Sequence, residues 1–214
     1  MAFIADASTY DLVKSMGFHC TFIDDNNASN IQKRFGDPEF TKFSFVRYKF
    51  IHESLKTYKH VWYLDVDTVV LDDLNIIAQE YIGRDHDIVF QNDIHQIKYC
   101  TGCMLISSNK NTMDMTAYLY NIRLESPIPD QHVVNLQLKH NPCLKTSMFD
   151  VERFQNGLLF FDLPELIDVP IGYAHFKKKF HTTKKLAFVH ANWMIGIDKK
   201  INALKKKGLW FASF

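Results

Sequence analysis

In the stretch YLDVDTVVL, residues 63–71, two aspartates, Asp65 and Asp67, follow directly on an apolar run. A buried strand does not tolerate two unpaired carboxylates. Alternate side chains of an extended chain point to the same side, so the two carboxylates need a cation between them. A divalent ion that prefers oxygen ligands, Mg²⁺ or Mn²⁺, meets that need. The alternative is a solvated turn in which Asp-x-Asp occurs by chance.

Apolar runs and helical patterns alternate along the rest of the chain. The order predicts one α/β domain with a mixed, mainly parallel sheet flanked by helices. Ligands of such sheets collect at the carboxyl ends of strands, where the two aspartates lie. The predicted strands are 2–6, 19–23, 60–71, 87–90, 102–107, 157–162 and 186–190. The predicted helices are 8–16, 41–58, 73–81, 110–122, 130–139 and 198–208, and 24–40 is predicted as a loop.

Two details of this pattern can be checked against a structure. The helix 41–58 is predicted to bury a stripe formed by Phe43, Val46, Phe50 and Leu55. The helix near 73–81 is predicted to begin after the acidic pair Asp72-Asp73, since aspartate is a common N-cap residue.

Composition narrows the class of protein. The 214 residues suit one domain, and a net charge of +1 argues against a nucleic-acid binder. No apolar run reaches the ~20 residues of a membrane span, and MAFIADAS lacks the features of a signal peptide. We therefore expect a soluble, cytoplasmic protein. Cys100 and Cys103 form a lone C-x-x-C, which favours reduced thiols over a zinc site.

Four motifs in a consistent order resemble the nucleotide-diphospho-sugar transferase family, whose members are GT-A-fold glycosyltransferases. YLDVDTVVL is similar to the family's DxD motif, and CTGCMLISSN (100–109) to its N-[TS]-G segment. PDQHVVN (129–135) and FVHANWMIGIDKKINALKKKGLW (188–210) are similar to two later motifs. The small size also resembles soluble glycosyltransferase domains of large DNA viruses that infect algae.

The resemblance implies a Rossmann-like GT-A fold in a single domain over residues 1–214. Residues 1–100 would mainly bind the nucleotide, and 101–214 would mainly bind the sugar and acceptor and supply a metal-binding tail. The implied reaction moves a sugar from a UDP-sugar, such as UDP-glucose or a related hexose or deoxyhexose, to a glycan or glycoprotein. Mn²⁺ or Mg²⁺ is the implied cofactor.

The resemblance also assigns roles to individual residues. The metal ligands would be Asp65, Asp67 and His190. The donor would be bound by Ala5, Asp6, Tyr10, Arg47, Asp65, Val66, Gly196 and Lys199. The catalytic residues would be Asp93, Asp130 and Gln131.

Several of these assignments have alternatives. Lys49 rivals Arg47, because the spacing of Arg47 to Asp65 differs by about one residue from the family pattern. Cys100 replaces an asparagine of the relatives, so Asn92 or Asp93 would supply that sugar contact.

Simpler structural roles also fit four of the assigned residues. These roles are a structural histidine for His190, a core position for Tyr10, a solvated lysine face for Lys199 and a helix cap for Asp130.

Two other functions compete with glycosyl transfer. An acidic pair on an α/β sheet also occurs in nucleotidyltransferases and phosphohydrolases, although those enzymes normally use more carboxylates. A non-catalytic domain that binds sugar nucleotides is the third hypothesis. The identities of the sugar and the acceptor stay open, as does the choice between retaining and inverting chemistry.

Overall fold

A computed structural model describes residues 2–5, 7–22, 37–93, 99–161 and 184–211. The chain divides into two compact units, Met1–Lys33 and Arg34–Phe214, and each is described by itself. Among the described residues, every helix is too short or too polar to cross a membrane.

The first unit is a β-α-β element, as the sequence predicted. It consists of β1 (Ala2–Ala5), α1 (Ala7–Ser15) and β2 (His19–Phe22). β1 and β2 pair in parallel, with Ala2 opposite His19. Most of the predicted loop 24–40 lies outside the described residues, and its last residues begin a helix at Pro38.

The second unit alternates helices and strands. Its described helices are α2 (Pro38–Ser44), α3 (Arg47–Thr57), α4 (Leu74–Tyr81), α5 (Lys110–Asn121), α6 (Asp130–His140), α7 (Gly157–Phe161) and α8 (Ile197–Lys206), with a 3₁₀ turn at Ile122–Leu124. Its described strands are β3 (His60–Leu64), β4 (Thr68–Val70), β5 (Ile88–Asn92), β6 (Tyr99–Ser107), β7 (Thr146–Met148), β8 (Phe154–Asn156) and β9 (Phe188–His190).

These strands form two mixed sheets. One has the order β3-β6-β5-β7, in which β6 is antiparallel to β3 and β5 while β7 is parallel to β5. The other has the order β4-β9-β8, with β4 antiparallel and β8 parallel to β9. The predicted α/β fold with mixed sheets is confirmed. Half of the pairings between described strands are parallel, because β6 pairs antiparallel with both of its neighbours and β9 with one.

The core lies on both faces of β6. Met104 and Ile106 belong to a buried cluster with residues of α3 and α5. Cys103 and Leu105 belong to a second cluster with α4 and with aromatic residues such as Phe149. The division follows from the alternation of side chains along a strand. Helices therefore cover this strand from two sides, α3 and α5 on one face and α4 on the other.

The predicted strand 60–71 is divided in two by its aspartates. Thr68 N donates to Asp65 O at 3.1 Å, which closes a turn. β3 before the turn joins the four-stranded sheet, and β4 after it joins the three-stranded sheet. The two aspartates therefore lie where the chain passes from one sheet to the next.

The predicted helix 41–58 is also divided, at Phe45 and Val46 between α2 and α3. The break changes which face of α3 is inside. Tyr48, Ile51 and Leu55 are buried there, whereas Phe43 of the predicted stripe is 52% exposed. The prediction was wrong for Phe43 because it assumed one unbroken helix, whereas Val46 and Leu55 are buried as predicted.

The prediction of a strand at 157–162 was wrong, since residues 157–161 form α7. Asn156 Oδ1 accepts a hydrogen bond from Leu159 N at 3.1 Å and starts the helix. A short apolar run such as GLLFF suits a buried strand and a buried helix equally well. The start of α4 was predicted correctly, because Asp73 Oδ1 accepts from Asn75 N at 2.7 Å.

Candidate active site

Asp65, Asp67 and His190 form one cluster. β4 and β9 pair with Thr68 opposite His190, and Ala191 N donates to Asp67 O at 2.9 Å, so the turn after β3 meets the end of β9. One ligand atom from each of the three residues lies within 4.8 Å of the other two. His190 Nε2 lies 3.2 Å from Asp67 Oδ1 and 3.8 Å from Asp65 Oδ2.

The ring of His190 is oriented by Gln91, which the sequence analysis missed. Gln91 Nε2 donates to Phe154 O at 3.4 Å, so the amide oxygen faces the ring and accepts from His190 Nδ1 at 2.8 Å. With its proton on Nδ1, neutral His190 directs the Nε2 lone pair at the two aspartates. Burial alone would lower the pKa of His190, but the adjacent Asp67 carboxylate raises it well above its ordinary value.

Gly102 provides the room for two of these side chains. A Cβ atom on Gly102 would overlap His190 Cε1 and would lie 2.5 Å from Asp65 Oδ2. Asp65 N also donates to Gly102 O at 2.8 Å. The space left by this glycine, the two carboxylates and the imidazole Nε2 that faces them together fit a divalent cation such as Mn²⁺ or Mg²⁺.

Arg47 holds Asp65 in place. Its Nη1 donates to Asp65 Oδ1 and to Thr101 O, each at 3.1 Å, and Tyr63 Oη donates to the same carboxylate oxygen at 2.8 Å. The guanidinium also stacks over the ring of Tyr63, 4.9 Å from its centre. Burial alone would lower the pKa of Arg47, but Asp65 and the other nearby groups raise it above its ordinary value. Arg47 is therefore a permanent positive charge at the cluster.

The sequence left two candidates for the basic residue that binds the donor, Arg47 and Lys49. Of these two, Arg47 lies at the cluster of Asp65, Asp67 and His190. Lys49 is exposed, and its ammonium lies 6.0 Å from the ring centres of Phe50 and Tyr120.

Lys200 of α8 contacts the second aspartate of the motif. Its Nζ donates to Asp67 Oδ2 at 2.5 Å. Burial would raise the pKa of Asp67, but His190 and Lys200 lower it well below its ordinary value. Lys199, the lysine that the sequence favoured, is exposed. Gly196 precedes α8 with φ of 107°, a value that favours glycine.

Asp93 and Gln131 form a second polar group beyond β5. Gln131 Nε2 donates to Asp93 Oδ2 at 2.9 Å, and Gln131 Oε1 accepts from Thr101 N at 3.2 Å. Asp93 Oδ1 accepts from Trp193 Nε1 at 3.0 Å and from Asn192 Nδ2 at 3.3 Å. Burial raises the pKa of Asp93 to about 7, against the opposing effect of the Trp193 and Gln131 hydrogen bonds.

Trp193 reaches Asp93 from a strained backbone. Its φ of 66° lies in the left-handed region, which non-glycine residues avoid. Such strain persists only where the surroundings hold it, and it is common at functional sites. Because Trp193 lies three residues after His190, this short segment links the metal cluster to Asp93.

Asp130 lies beneath Arg47. It is 2% exposed, its Oδ2 accepts from Tyr48 Oη at 2.9 Å, and Arg47 Nε lies 3.6 Å from the same oxygen. It is the first residue of α6 and follows Pro129, so it is not the cap that the simpler reading suggested. The geometry makes Asp130 a support for Arg47.

A sequence model of the nucleotide-diphospho-sugar transferase family matches residues 1–204. The chain belongs to this family. Membership places it among the glycosyltransferase enzymes, as the motifs predicted.

The chain also resembles known proteins in sequence and solved structures in fold. The UDP-D-xylose:L-fucose alpha-1,3-D-xylosyltransferase MGP4 of Arabidopsis thaliana is 25% identical over 225 residues, which cover 95% of this chain and 59% of the relative. This chain thus spans less than two thirds of that relative. Galactosyltransferase LgtC, solved with donor and acceptor sugar analogues, superposes with a TM-score of 0.57 at 15% identity and covers 97% of this chain and 94% of LgtC.

A glycosyltransferase involved in glycosylation of the major capsid of PBCV-1 has a TM-score of 0.50 at 12% identity. It covers 93% of this chain and 96% of the viral chain. At these identities the two solved structures show a common GT-A fold alone. A viral origin of this chain therefore stays a prediction.

The other family positions are distributed over both units. Val66 is 91% exposed at the tip of the turn between the two aspartates. Ala5 ends β1 and Tyr10 is partly buried on α1, both in the first unit, and Asp6 lies outside the described residues. Their role in binding the nucleotide stays a prediction.

Cys100, the departure from the family pattern, is buried beside the cluster. Its Sγ lies 3.8 Å from His190 Nδ1 and from Asn192 Nδ2, and burial raises the pKa of the thiol. Asn92, one of its proposed substitutes, is partly buried, and its backbone oxygen accepts from Asn156 Nδ2 at 3.2 Å.

Proposed function

We propose that this chain transfers a sugar from a UDP-sugar to a hydroxyl of a glycan or glycoprotein, in a reaction that depends on Mn²⁺ or Mg²⁺. The observation that carries the proposal is the cluster of Asp65, Asp67 and His190 in a member of this family. The name of the Arabidopsis relative supports a UDP-linked donor and makes UDP-xylose the first sugar nucleotide to test.

Asp65, Asp67 and His190 would hold the cation. When bound, a divalent ion offsets the negative charge that grows on the departing diphosphate. Arg47 and Tyr63 fix the Asp65 carboxylate, and Gln91 fixes the ring of His190, so the protein pays little to organise these ligands. Preorganised charges of this kind are usually the largest contribution to catalysis.

The opening of α8 is suited to the diphosphate. Gly196 lets the backbone turn sharply before the helix, and the first N–H groups of a helix attract anions. Lys200 brings a positive charge to the same end of the helix, and Lys199 adds a second one on its exposed side. These residues would bind the donor beside the cation.

Asp93 and Gln131 would contact the transferred sugar or the acceptor. A carboxylate and an amide together accept and donate hydrogen bonds, as sugar hydroxyls require. With a pKa of about 7, Asp93 can take up or release a proton near neutral pH. If transfer inverts the anomeric centre, Asp93 is our candidate for the base that removes the acceptor proton. Asp130 would act through Arg47.

Calorimetric titration with UDP-xylose, UDP-glucose, UDP-galactose and UDP-rhamnose tests donor binding. We expect binding of at least one donor with Mn²⁺ and little binding after chelation. Asp67→Asn should abolish the effect of Mn²⁺, because it removes a charged ligand. Asp114→Asn is the matched control, since Asp114 is exposed and its carboxylate pairs with Lys110, far from the cluster in sequence. Equal donor binding by wild type and Asp67→Asn would refute the metal site.

A further inference from the structure

Both oxygens of Asp67 already have nitrogen partners within the chain. His190 Nε2 lies 3.2 Å from Oδ1, and Lys200 Nζ lies 2.5 Å from Oδ2. The side chains of Asp67 and Lys200 are 18% and 27% exposed, so water screens their ion pair only in part. Any cation that binds Asp67 has to share this carboxylate with Lys200.

Each aspartate of the pair has one cation of the chain beside it. Arg47 lies against Asp65, and Lys200 lies against Asp67. A divalent ion at the same place would add two positive charges to a site that already holds these cations. Like charges this close repel, so one of the chain's own cations has to leave. Arg47 is buried against Asp65, Thr101 and Asp130, which leaves the more exposed Lys200 as the group that can move.

We propose that Lys200 competes with the divalent cation for Asp67 and is displaced when the cation binds. The inference rests on the proposed function, because it assumes that Asp65, Asp67 and His190 hold a metal. It adds that Lys200 and the cation share one ligand, the Asp67 carboxylate.

The displaced ammonium needs a new anionic partner. Lys200 lies in the first turn of α8, near the helix N-terminus where a diphosphate would bind. A nucleotide diphosphate that arrives with the cation supplies that partner, whereas the free cation does not. The metal therefore binds weakly alone and more tightly together with the nucleotide, which favours entry of the two as a complex.

The test measures Mn²⁺ binding from the paramagnetic resonance signal of free Mn²⁺, first without and then with UDP. Lys200→Met keeps the length of the side chain and removes its charge. Lys200→Arg keeps the charge. Lys205→Met is the matched control, because it removes an exposed lysine of the same helix and changes the net charge equally. Thermal melts verify that each variant is folded.

Lys200→Met should bind Mn²⁺ alone about fivefold more tightly than wild type, the scale of one partly exposed ion pair. Lys200→Arg and Lys205→Met should stay within about twofold of wild type. At saturating Mn²⁺, Lys200→Met should bind UDP about fivefold more weakly, because the diphosphate loses a partner. The two opposite changes in one variant distinguish competition from a general effect of net charge.

If Lys200→Met and Lys205→Met bind Mn²⁺ equally, or if UDP binding is unchanged, the competition does not exist and the metal site stands. If wild type binds no Mn²⁺ with or without UDP, the inference and the proposed metal dependence fail together.

Discussion

His190 Nδ1 lies 2.8 Å from Oε1 of Gln91, a fully buried glutamine of β5. This hydrogen bond decides which ring nitrogen carries the proton in the neutral imidazole. It leaves Nε2 as the nitrogen that faces Asp65 and Asp67, so a residue outside the cluster determines whether His190 can be a ligand.

Replacing Gln91 with Leu should weaken Mn²⁺ binding by at least about tenfold, because the ring loses the group that orients it. Mn²⁺ titration of the folded variant measures the effect. Gln155→Leu is the control, since Gln155 is also buried but donates to Glu152 O. Equal losses in the two variants would mean that the Gln91 contact has no special role.

Replacing Gly102 with Ala should weaken Mn²⁺ binding by roughly tenfold or more, because the new methyl group displaces His190 and Asp65. We expect an additional loss of about 1–3 kcal/mol in the free energy of unfolding from crowding. Gly83→Ala is the contrast: Gly83 has φ of 88°, and its added Cβ meets nothing within 4 Å. Gly83→Ala should strain the backbone but leave the affinity for Mn²⁺ unchanged. An unchanged affinity in Gly102→Ala would contradict the close packing of Gly102 against His190 and Asp65.

Replacing Arg47 with Met should lower the free energy of unfolding by about 3 kcal/mol, because Asp130 keeps a buried charge without its cation. Lys49→Met, an exposed change two residues away, should alter stability by less than about 0.5 kcal/mol. Urea unfolding of the three proteins gives both values. A larger effect at Lys49 than at Arg47 would reverse our choice between these two residues.

The stability of the protein should depend on pH through Asp93. Its folded pKa of about 7 exceeds its ordinary value of 3.8, so between these values the folded protein binds more protons than the unfolded chain. The contribution of Asp93 is therefore greatest in acid and is lost as the pH rises through about 7. The groups that face this carboxylate are Gln131, Asn192 and Trp193, with His190 nearby.

Asp93→Asn isolates this effect, because the other titrating groups remain in both proteins. We expect the free energy of unfolding of wild type, relative to Asp93→Asn, to fall by roughly 2–4 kcal/mol between pH 4 and pH 8. Urea unfolding across this range measures the difference. A constant difference would mean that Asp93 is ionised throughout.

That Asp65, Asp67 and His190 lie together could be predicted from the sequence, because each belongs to a recognisable motif at the end of a strand. Asp65 and Asp67 close an apolar run, and His190 ends the strand that β4 pairs with. The choice between Arg47 and Lys49 could not be made, because it depends on a helix break at Phe45 and Val46 that no glycine or proline marks.

Three site residues show where sequence reasoning stops. Lys200 and Lys199 are adjacent in a lysine-rich helix, and successive helical residues point about 100° apart, so only the packing of α8 separates them. Gly102 was part of a recognised motif, but the need for glycine there is visible only in three dimensions, because a Cβ atom at this position would overlap His190. Gln91 did carry a signal, since a polar residue inside the apolar run DIVFQN has to find a buried partner.

The most direct test of metal-dependent glycosyl transfer is the rate of UDP release from UDP-sugars by the purified chain. The assay compares wild type, chelated wild type and chelated wild type resupplied with Mn²⁺, with fucosides and simple glycosides as acceptors. We predict release from at least one donor, its loss on chelation and its return with Mn²⁺, and no release by Asp67→Asn. Release that is unaffected by chelation and by Asp67→Asn, or no release from any donor, would contradict the proposal.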